Sequence, residues 1–179
     1  NGHSYRHRHI PSKNAYSLGA NATFNAVVVS WNNYPVVPPA DNHHLIVYLN
    51  SNIIYDSTFA GYKKIDVEVS VPIANLGTTT TNFIFTAFND LGVGPNDKQT
   101  VAYTTLKYPH TMDLEGTSVF DKIYLEDHPS QTKSLFEFTG FNTSGGALFY
   151  DLTNNKRIRV VQSGPIYQCL VPNAGGEKE

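Results

Sequence analysis

Short apolar runs alternate with turn-forming clusters along most of this chain, at a spacing of about 10 residues. Runs this short, bounded by Asn, Gly and Pro, are typical of the strands of an all-β sandwich or barrel. The composition agrees, because the 179 residues are rich in Asn and Thr and include 13 Gly and 10 Pro. Asn, Gly and Pro disfavour helices, and Thr favours a pleated strand. The sequence therefore predicts an all-β fold class.

Apolar and polar residues alternate strictly between residues 65 and 71, which predicts a strand that covers a core on one face only. A single turn is expected at 113–117, and the link Asn154-Asn155-Lys156 suits a tight hairpin because Asn tolerates positive φ. The further runs predicted as strands are 23–31, 45–49, 53–57, 82–88, 100–105, 118–125, 135–139, 147–152, 157–162 and 166–171.

We expect a domain boundary at 107–110, where Pro109 follows the strand that would close a first sandwich. The stretch 110–171 is then a small β module, near the lower size limit for an independent core without disulfides or metal, so it should pack on the first domain or on another chain. Residues 1–13 lack periodicity and are predicted to be an extended arm, and 172–179 a flexible tail. One continuous jelly roll is the alternative fold. Because residue 1 is Asn, the chain is expected to be a fragment, a tagged chain or a product of cleavage.

Three runs within 14–107 match a known pattern. The run VVVSW (27–31) is similar to the second strand, with its core Trp, of the fibronectin type III family, and 83–95 resembles the sixth strand of that family and the Asn-x-x-Gly-x-Gly turn after it. Leu76-Gly77-Thr78 is similar to the corner before that strand, and the family's corner Tyr corresponds to Thr81. The resemblance implies a fibronectin type III or Ig-like sandwich followed by a smaller β module. It implies no single function, since such folds serve adhesion, carbohydrate-enzyme accessory and viral roles.

Two features are candidate contact or modification sites. Asn21 and Asn142 each begin an N-glycosylation sequon, although an Asn- and Thr-rich chain also acquires sequons by chance. The second sequon lies in a Gly-rich turn where a glycan would fit. A Pro-stiffened apolar loop between two predicted strands is interpreted as a contact loop, or else as a cap on the sandwich; it consists of Tyr34, Pro35, Val36, Val37, Pro38 and Pro39.

The sequence predicts no catalytic residue, no metal site and no cofactor. It has no Gly-x-Ser-x-Gly elbow and no phosphate loop, and the lone Cys169 excludes an internal disulfide. Asn1-Gly2-His3 has the arrangement for square-planar Cu(II) or Ni(II), but only if residue 1 is the true amino terminus. His43 and His44 precede a strand and should point to opposite faces, so they are interpreted as a solvated pair.

The net charge argues against nucleic acid as a partner, and the short apolar runs argue against a membrane span. A net charge of −2 and a pI near 6.4 give no basic footprint for nucleic acid, and no apolar run approaches the length of a membrane span. We expect protein partners or copies of the chain itself, with a glycan as a further candidate.

The expected function is that of a non-enzymatic binding or structural module of an extracellular or surface protein, acting through strand edges and loops. The alternative is a self-assembling subunit of a virion, fibre or appendage, since few charged side chains protect the exposed β edges. A third is a carbohydrate-binding accessory module, which would show a row of exposed aromatic side chains on one sheet face.

Overall fold

The computed structural model describes residues 4–32, 41–92, 97–120 and 122–179. These residues form thirteen β-strands and one short turn of 3₁₀ helix (Ile73–Asn75), which confirms the all-β prediction. The chain divides into two compact units, Asn1–Thr111 and Met112–Glu179. Within the described residues, no helix is long and apolar enough to cross a membrane.

The first unit is a sandwich of two antiparallel sheets. One sheet has the strand order β1-β6-β3-β4, and the other has the order β5-β2-β7. The strands are β1 (Ser4–Pro11), β2 (Ala22–Ser30), β3 (His43–Leu49), β4 (Asn52–Phe59), β5 (Lys64–Val71), β6 (Thr80–Ala87) and β7 (Gln99–Lys107).

The core of the first unit lies between these two sheets. The rings of Phe24 on β2 and Phe83 on β6 stack with their centroids 3.8 Å apart, and both side chains are fully buried. The strict alternation of β5 is confirmed, because Val67 and Val71 are buried in this core while the polar residues between them are exposed. Burial of the apolar face of each strand is what drives the two sheets together.

The described part of the predicted arm is not an arm, because residues 4–11 form β1, a strand of the first sheet. It pairs antiparallel with β6, from Ser4 opposite Ala87 to Pro11 opposite Thr80. Most described side chains of β1 are exposed, and Ile10 alone packs against the core. An edge strand held mainly by backbone hydrogen bonds needs no apolar period, which explains why the sequence pattern did not predict it.

The terminal strands of the first unit lie in unusual places. In an immunoglobulin sandwich the first strand lies beside the second, and the last strand beside the sixth. Here β1 lies beside β6, and β7 lies beside β2. The inner order β6-β3-β4 and the pair β5-β2 correspond to that arrangement, whereas the first and last strands have exchanged sheets.

Two residues of the fibronectin-like segments differ from their expected environments. Trp31 lies just past β2 and is 58% exposed, with the Lys98 ammonium 5.2 Å from the centre of its ring, so it is not a core residue. Thr81 is buried, and its hydroxyl accepts the backbone N–H of Gly77 at 2.9 Å. A Cβ on Gly77 would lie 1.9 Å from the Thr80 carbonyl oxygen, so only glycine fits this corner.

The second unit contains a mixed four-stranded sheet of order β12-β13-β9-β8 and a separate hairpin, β10-β11. Strand β8 runs parallel to β9, and the other pairs are antiparallel. The strands are β8 (Asp113–Thr117), β9 (Lys133–Phe141), β10 (Leu148–Asp151), β11 (Lys156–Arg159), β12 (Val161–Ser163) and β13 (Ile166–Pro172). Its core includes Phe136, Phe138, Tyr167 and Val171.

Three predictions for the second unit were wrong in detail. Residues 113–117 form β8 rather than a turn. The described residues of 118–125, all but residue 121, contain no strand, only an isolated bridge from Leu125 to Lys178. The run 157–162 is split between β11 and β12. At the hairpin before it, Asn155 has a φ of 52°, the positive value that Asn tolerates. Because β8 has one buried side chain, Leu114, its pairing with β9 and not its own pattern makes it a strand.

The tail 172–179 is held in place rather than flexible. Lys178 is only 1% exposed, and its ammonium donates to Asp127 at 2.7 Å, to the Ser134 hydroxyl at 3.0 Å and to the Glu126 carbonyl oxygen at 3.2 Å. Its backbone also exchanges two hydrogen bonds of 2.9 Å with Leu125. The polar composition of the tail hides this anchor, because a buried ammonium becomes stable only where acceptors surround it.

Candidate binding surfaces

Some of the predicted site residues lie outside the described part of the chain. The proposed contact loop, Tyr34 to Pro39, falls in the gap between residues 32 and 41, and Asn1-Gly2-His3 precedes residue 4. Both sequon asparagines are described and exposed. Asn21 donates its side-chain amide to the Ser70 hydroxyl at 3.1 Å, and Asn142 lies in the turn between β9 and β10.

His43 and His44 begin β3 and are not a solvated pair. The His43 ring is buried, with Nδ1 2.7 Å from an oxygen of Asp97 and Nε2 2.8 Å from the Asn32 carbonyl oxygen. The side chains do point in opposite directions, but each meets a carboxylate.

His44 lies between two aspartates. Its Nδ1 is 2.8 Å from Asp90 and its Nε2 is 2.8 Å from Asp56. Burial lowers the pKa of His44, but the hydrogen bonds to Asp90 and Asp56 together raise it above its ordinary value of 6.5. Its backbone N–H donates to the second oxygen of Asp97 at 3.0 Å. We call these residues, with His43, the histidine cluster.

The histidine cluster joins segments rather than offering a reactive group. It connects the start of β3 to the segment after β2, to β4, to the segment after β6 and to the segment before β7. Every ring nitrogen of the two histidines faces an oxygen of this chain, so none is directed at a ligand. Among the described residues, no group of three or more potential ligands could hold a metal ion.

Cys169 is a core residue. It is buried on β13, and burial raises the pKa of its thiol to about 11. At neutral pH the group is therefore a protonated thiol, which is neither a strong nucleophile nor a metal ligand.

One face of the sheet in the second unit exposes apolar side chains, which we call the outer apolar face. Leu170 lies directly opposite Leu135, and the two are 55% and 58% exposed. On the same face, the hydrogen-bonded pair Gln168 and Glu137 lies beside them. Its apolar members are Leu135, Val161, Ile166 and Leu170.

Both faces of this sheet carry apolar side chains, although only one is covered by the core of the unit. On β9, Phe136 and Phe138 face the core while Leu135 faces out; on β13, Tyr167 faces the core while Leu170 faces out. Strands with apolar residues on both faces are typical of sheets covered on both sides. By contrast, the outward residues of β5 in the first unit are polar. An exposed apolar face of this kind is a candidate interaction surface.

The exposed aromatic side chains are spread over several elements. Tyr5 lies on β1, Tyr62 between β4 and β5, Tyr103 on β7 and Tyr150 on β10. Aromatic rings that bind a sugar chain need to share one face, whereas Tyr5 and Tyr103 belong to the two different sheets of the first unit.

No protein-family model, curated protein or solved structure matches this chain. The fibronectin-like resemblance of residues 14–107 therefore stays a prediction.

Proposed function

We propose that this chain is a non-enzymatic binding or structural module of an extracellular or surface protein, whose second unit contacts a protein partner through the outer apolar face. The observation that carries the proposal is the exposed pair Leu135 and Leu170 on a sheet whose other face already covers a core. Removing such side chains from water is favourable by about 25 cal/mol for each Å² of apolar surface, so a complementary protein surface would bind there.

Two further features fit this role. Asn21 and Asn142 are exposed, as sequons that carry glycans in an extracellular protein must be. The first unit retains the inner strand order of an immunoglobulin sandwich, and we propose that it is a fibronectin-like variant in which the terminal strands have exchanged places. Folds of this class present loops and edges for binding.

One observation favours the alternative, a self-assembling subunit of a larger structure. The terminal strand β1 fills an edge position beside β6, a strand far away in the sequence. A second copy of the chain could supply the same strand to β6 with the same hydrogen bonds. Exchange of β1 between copies would link subunits without any new interface.

Sedimentation velocity tests the proposal on three proteins: the wild-type chain, the double variant Leu135→Lys with Leu170→Lys, and the control Tyr62→Lys. Tyr62 is 71% exposed and lies in the first unit, away from the outer apolar face in sequence and in sheet. We expect the double variant to be more soluble than wild type and control, and to lose any self-association that those two proteins show as concentration rises. A wild-type chain that stays monomeric and gains no solubility from the double substitution contradicts the proposal.

A further inference from the structure

An open cleft of about 280 Å³ lies in the second unit, on the core side of β9 and apart from the outer apolar face. Its floor consists of phenylalanine rings from two strands: Phe136, Phe138 and Phe141 of β9, and Phe149 of β10. Among the other lining residues, Leu148 and Tyr150 of β10 are more than half exposed and mark its opening to solvent. The cleft therefore leads from solvent directly to buried aromatic rings.

The rings on the floor hold one another at defined angles. Phe136 stacks on Phe138 with centroids 5.2 Å apart, and it lies 5.4 Å from Phe149 at a tilt of 41°. Phe141 meets Phe138 edge to face at 6.0 Å. The cleft thus offers both ring faces and ring edges, and a flat aromatic molecule can stack on the first or meet the second.

The side-chain charges that the described residues place at the cleft cancel. The Lys122 ammonium lies 2.5 Å from a carboxylate oxygen of Glu179, and both residues line the cleft. A ligand with a net charge would have to compete with this ion pair and leave water for an apolar lining, which is unfavourable. An uncharged ligand meets neither penalty.

We propose that this cleft binds a small, uncharged aromatic molecule of about two fused rings. A protein cavity of about 150 Å³ lined by apolar side chains accommodates benzene, so a volume of about 280 Å³ has room for a bicyclic ring system. A hydroxyl or amide on that ring system would reach the Lys122–Glu179 pair. The proposal does not depend on the proposed function, because the outer apolar face uses the opposite side of β9.

Titration of the intact chain with 2-naphthol, an uncharged fluorescent bicyclic probe, tests the proposal. Ala147 lines the cleft, and the new ring in Ala147→Phe would fill the part of the cleft in which the probe is expected to bind. Leu148→Glu adds a charge at the exposed rim without altering the buried rings. The matched control is Ala102→Phe, the same enlargement at an exposed position of β7 in the first unit. Thermal unfolding of each variant verifies that it is folded.

We expect saturable one-to-one binding of 2-naphthol by the wild type and by Ala102→Phe. In Ala147→Phe the affinity should be lower by about tenfold or more, since the new ring prevents the probe from burying its apolar surface in the cleft. Leu148→Glu should weaken binding without abolishing it. The anion 2-naphthoate should bind the wild type more weakly than 2-naphthol. Either no saturable binding of 2-naphthol to the wild type, or equal affinity in folded Ala147→Phe, overturns the proposal.

Discussion

Lys178 and Asp127 form an ion pair, and removing one partner leaves the other in a different situation in each case. Asp127 also accepts the backbone N–H groups of Ala174, Gly175 and Gly176 at 2.7–3.0 Å, so it keeps donors if the lysine is removed. Lys178 is almost fully buried, and Asp127 is its only carboxylate within hydrogen-bond distance among the described residues. A buried charge that loses its partner destabilises a fold more than an apolar replacement of the whole charge does.

We therefore predict that Asp127→Asn destabilises the second unit more than Lys178→Met does. Methionine removes the buried charge, and the Glu126 carbonyl oxygen keeps its hydrogen bond from the Ser134 hydroxyl, so the loss should be about 1 kcal/mol. Asparagine leaves the Lys178 ammonium buried without a counter-charge, and the loss should be several-fold larger. Urea unfolding of the two variants measures both values; a larger loss for Lys178→Met would contradict this reasoning.

At the scale of the strands, the sequence predicted strand positions best where one face of the strand is buried and the other is exposed to solvent. The run 65–71 matches β5 to within one residue, because its apolar residues face the core and its polar residues face solvent. Strands β1 and β8 were missed, since their pairing with β6 and β9 rests on backbone hydrogen bonds that leave no apolar period.

The candidate sites were less predictable for a different physical reason. His43 and Asp97 are 54 residues apart in sequence, and only the folded sandwich brings their side chains together. The outer apolar face did leave a signal, because 133–141 has apolar residues at both strand parities, Leu135 on one and Phe136 on the other. That pattern indicates two apolar faces, but it does not indicate which one the chain itself covers.

Strand β1 provides a test of how the first unit is closed. Deleting residues 1–11 would leave the backbone of β6 unpaired along one side and remove the packing of Ile10, so we predict a loss of about 2 kcal/mol or more in stability. A synthetic peptide of residues 1–11 should restore the melting temperature of the truncated chain. A scrambled peptide of the same composition is the control, and a truncated chain as stable as wild type would refute the prediction.

At the scale of the whole molecule, the two units should respond to pH in opposite directions. The raised pKa of His44 means that this group stabilises the first unit fully below its ordinary value of 6.5, and less as the pH rises through the raised value. The pKa of Asp127 is held well below its ordinary 3.8 by the hydrogen bonds from Lys178 and from three backbone N–H groups. It therefore stabilises the second unit above 3.8 and less as the pH falls through the lowered value.

The chain carries one reporter for each unit, so this prediction can be measured on the intact chain. Its single Trp, Trp31, lies in the first unit, and its single Cys, the buried Cys169, lies in the second. Between pH 6 and 9, thermal unfolding followed by Trp31 emission should move to lower temperature, and His44→Gln should remove that shift alone. Below pH 4, exposure of Cys169 to a disulfide reagent active in acid should begin at lower temperature, and Asp127→Asn should remove that shift alone. If the unfolding temperatures reported by Trp31 and Cys169 shift together at both ends of the pH range, His44 and Asp127 do not act in separate units.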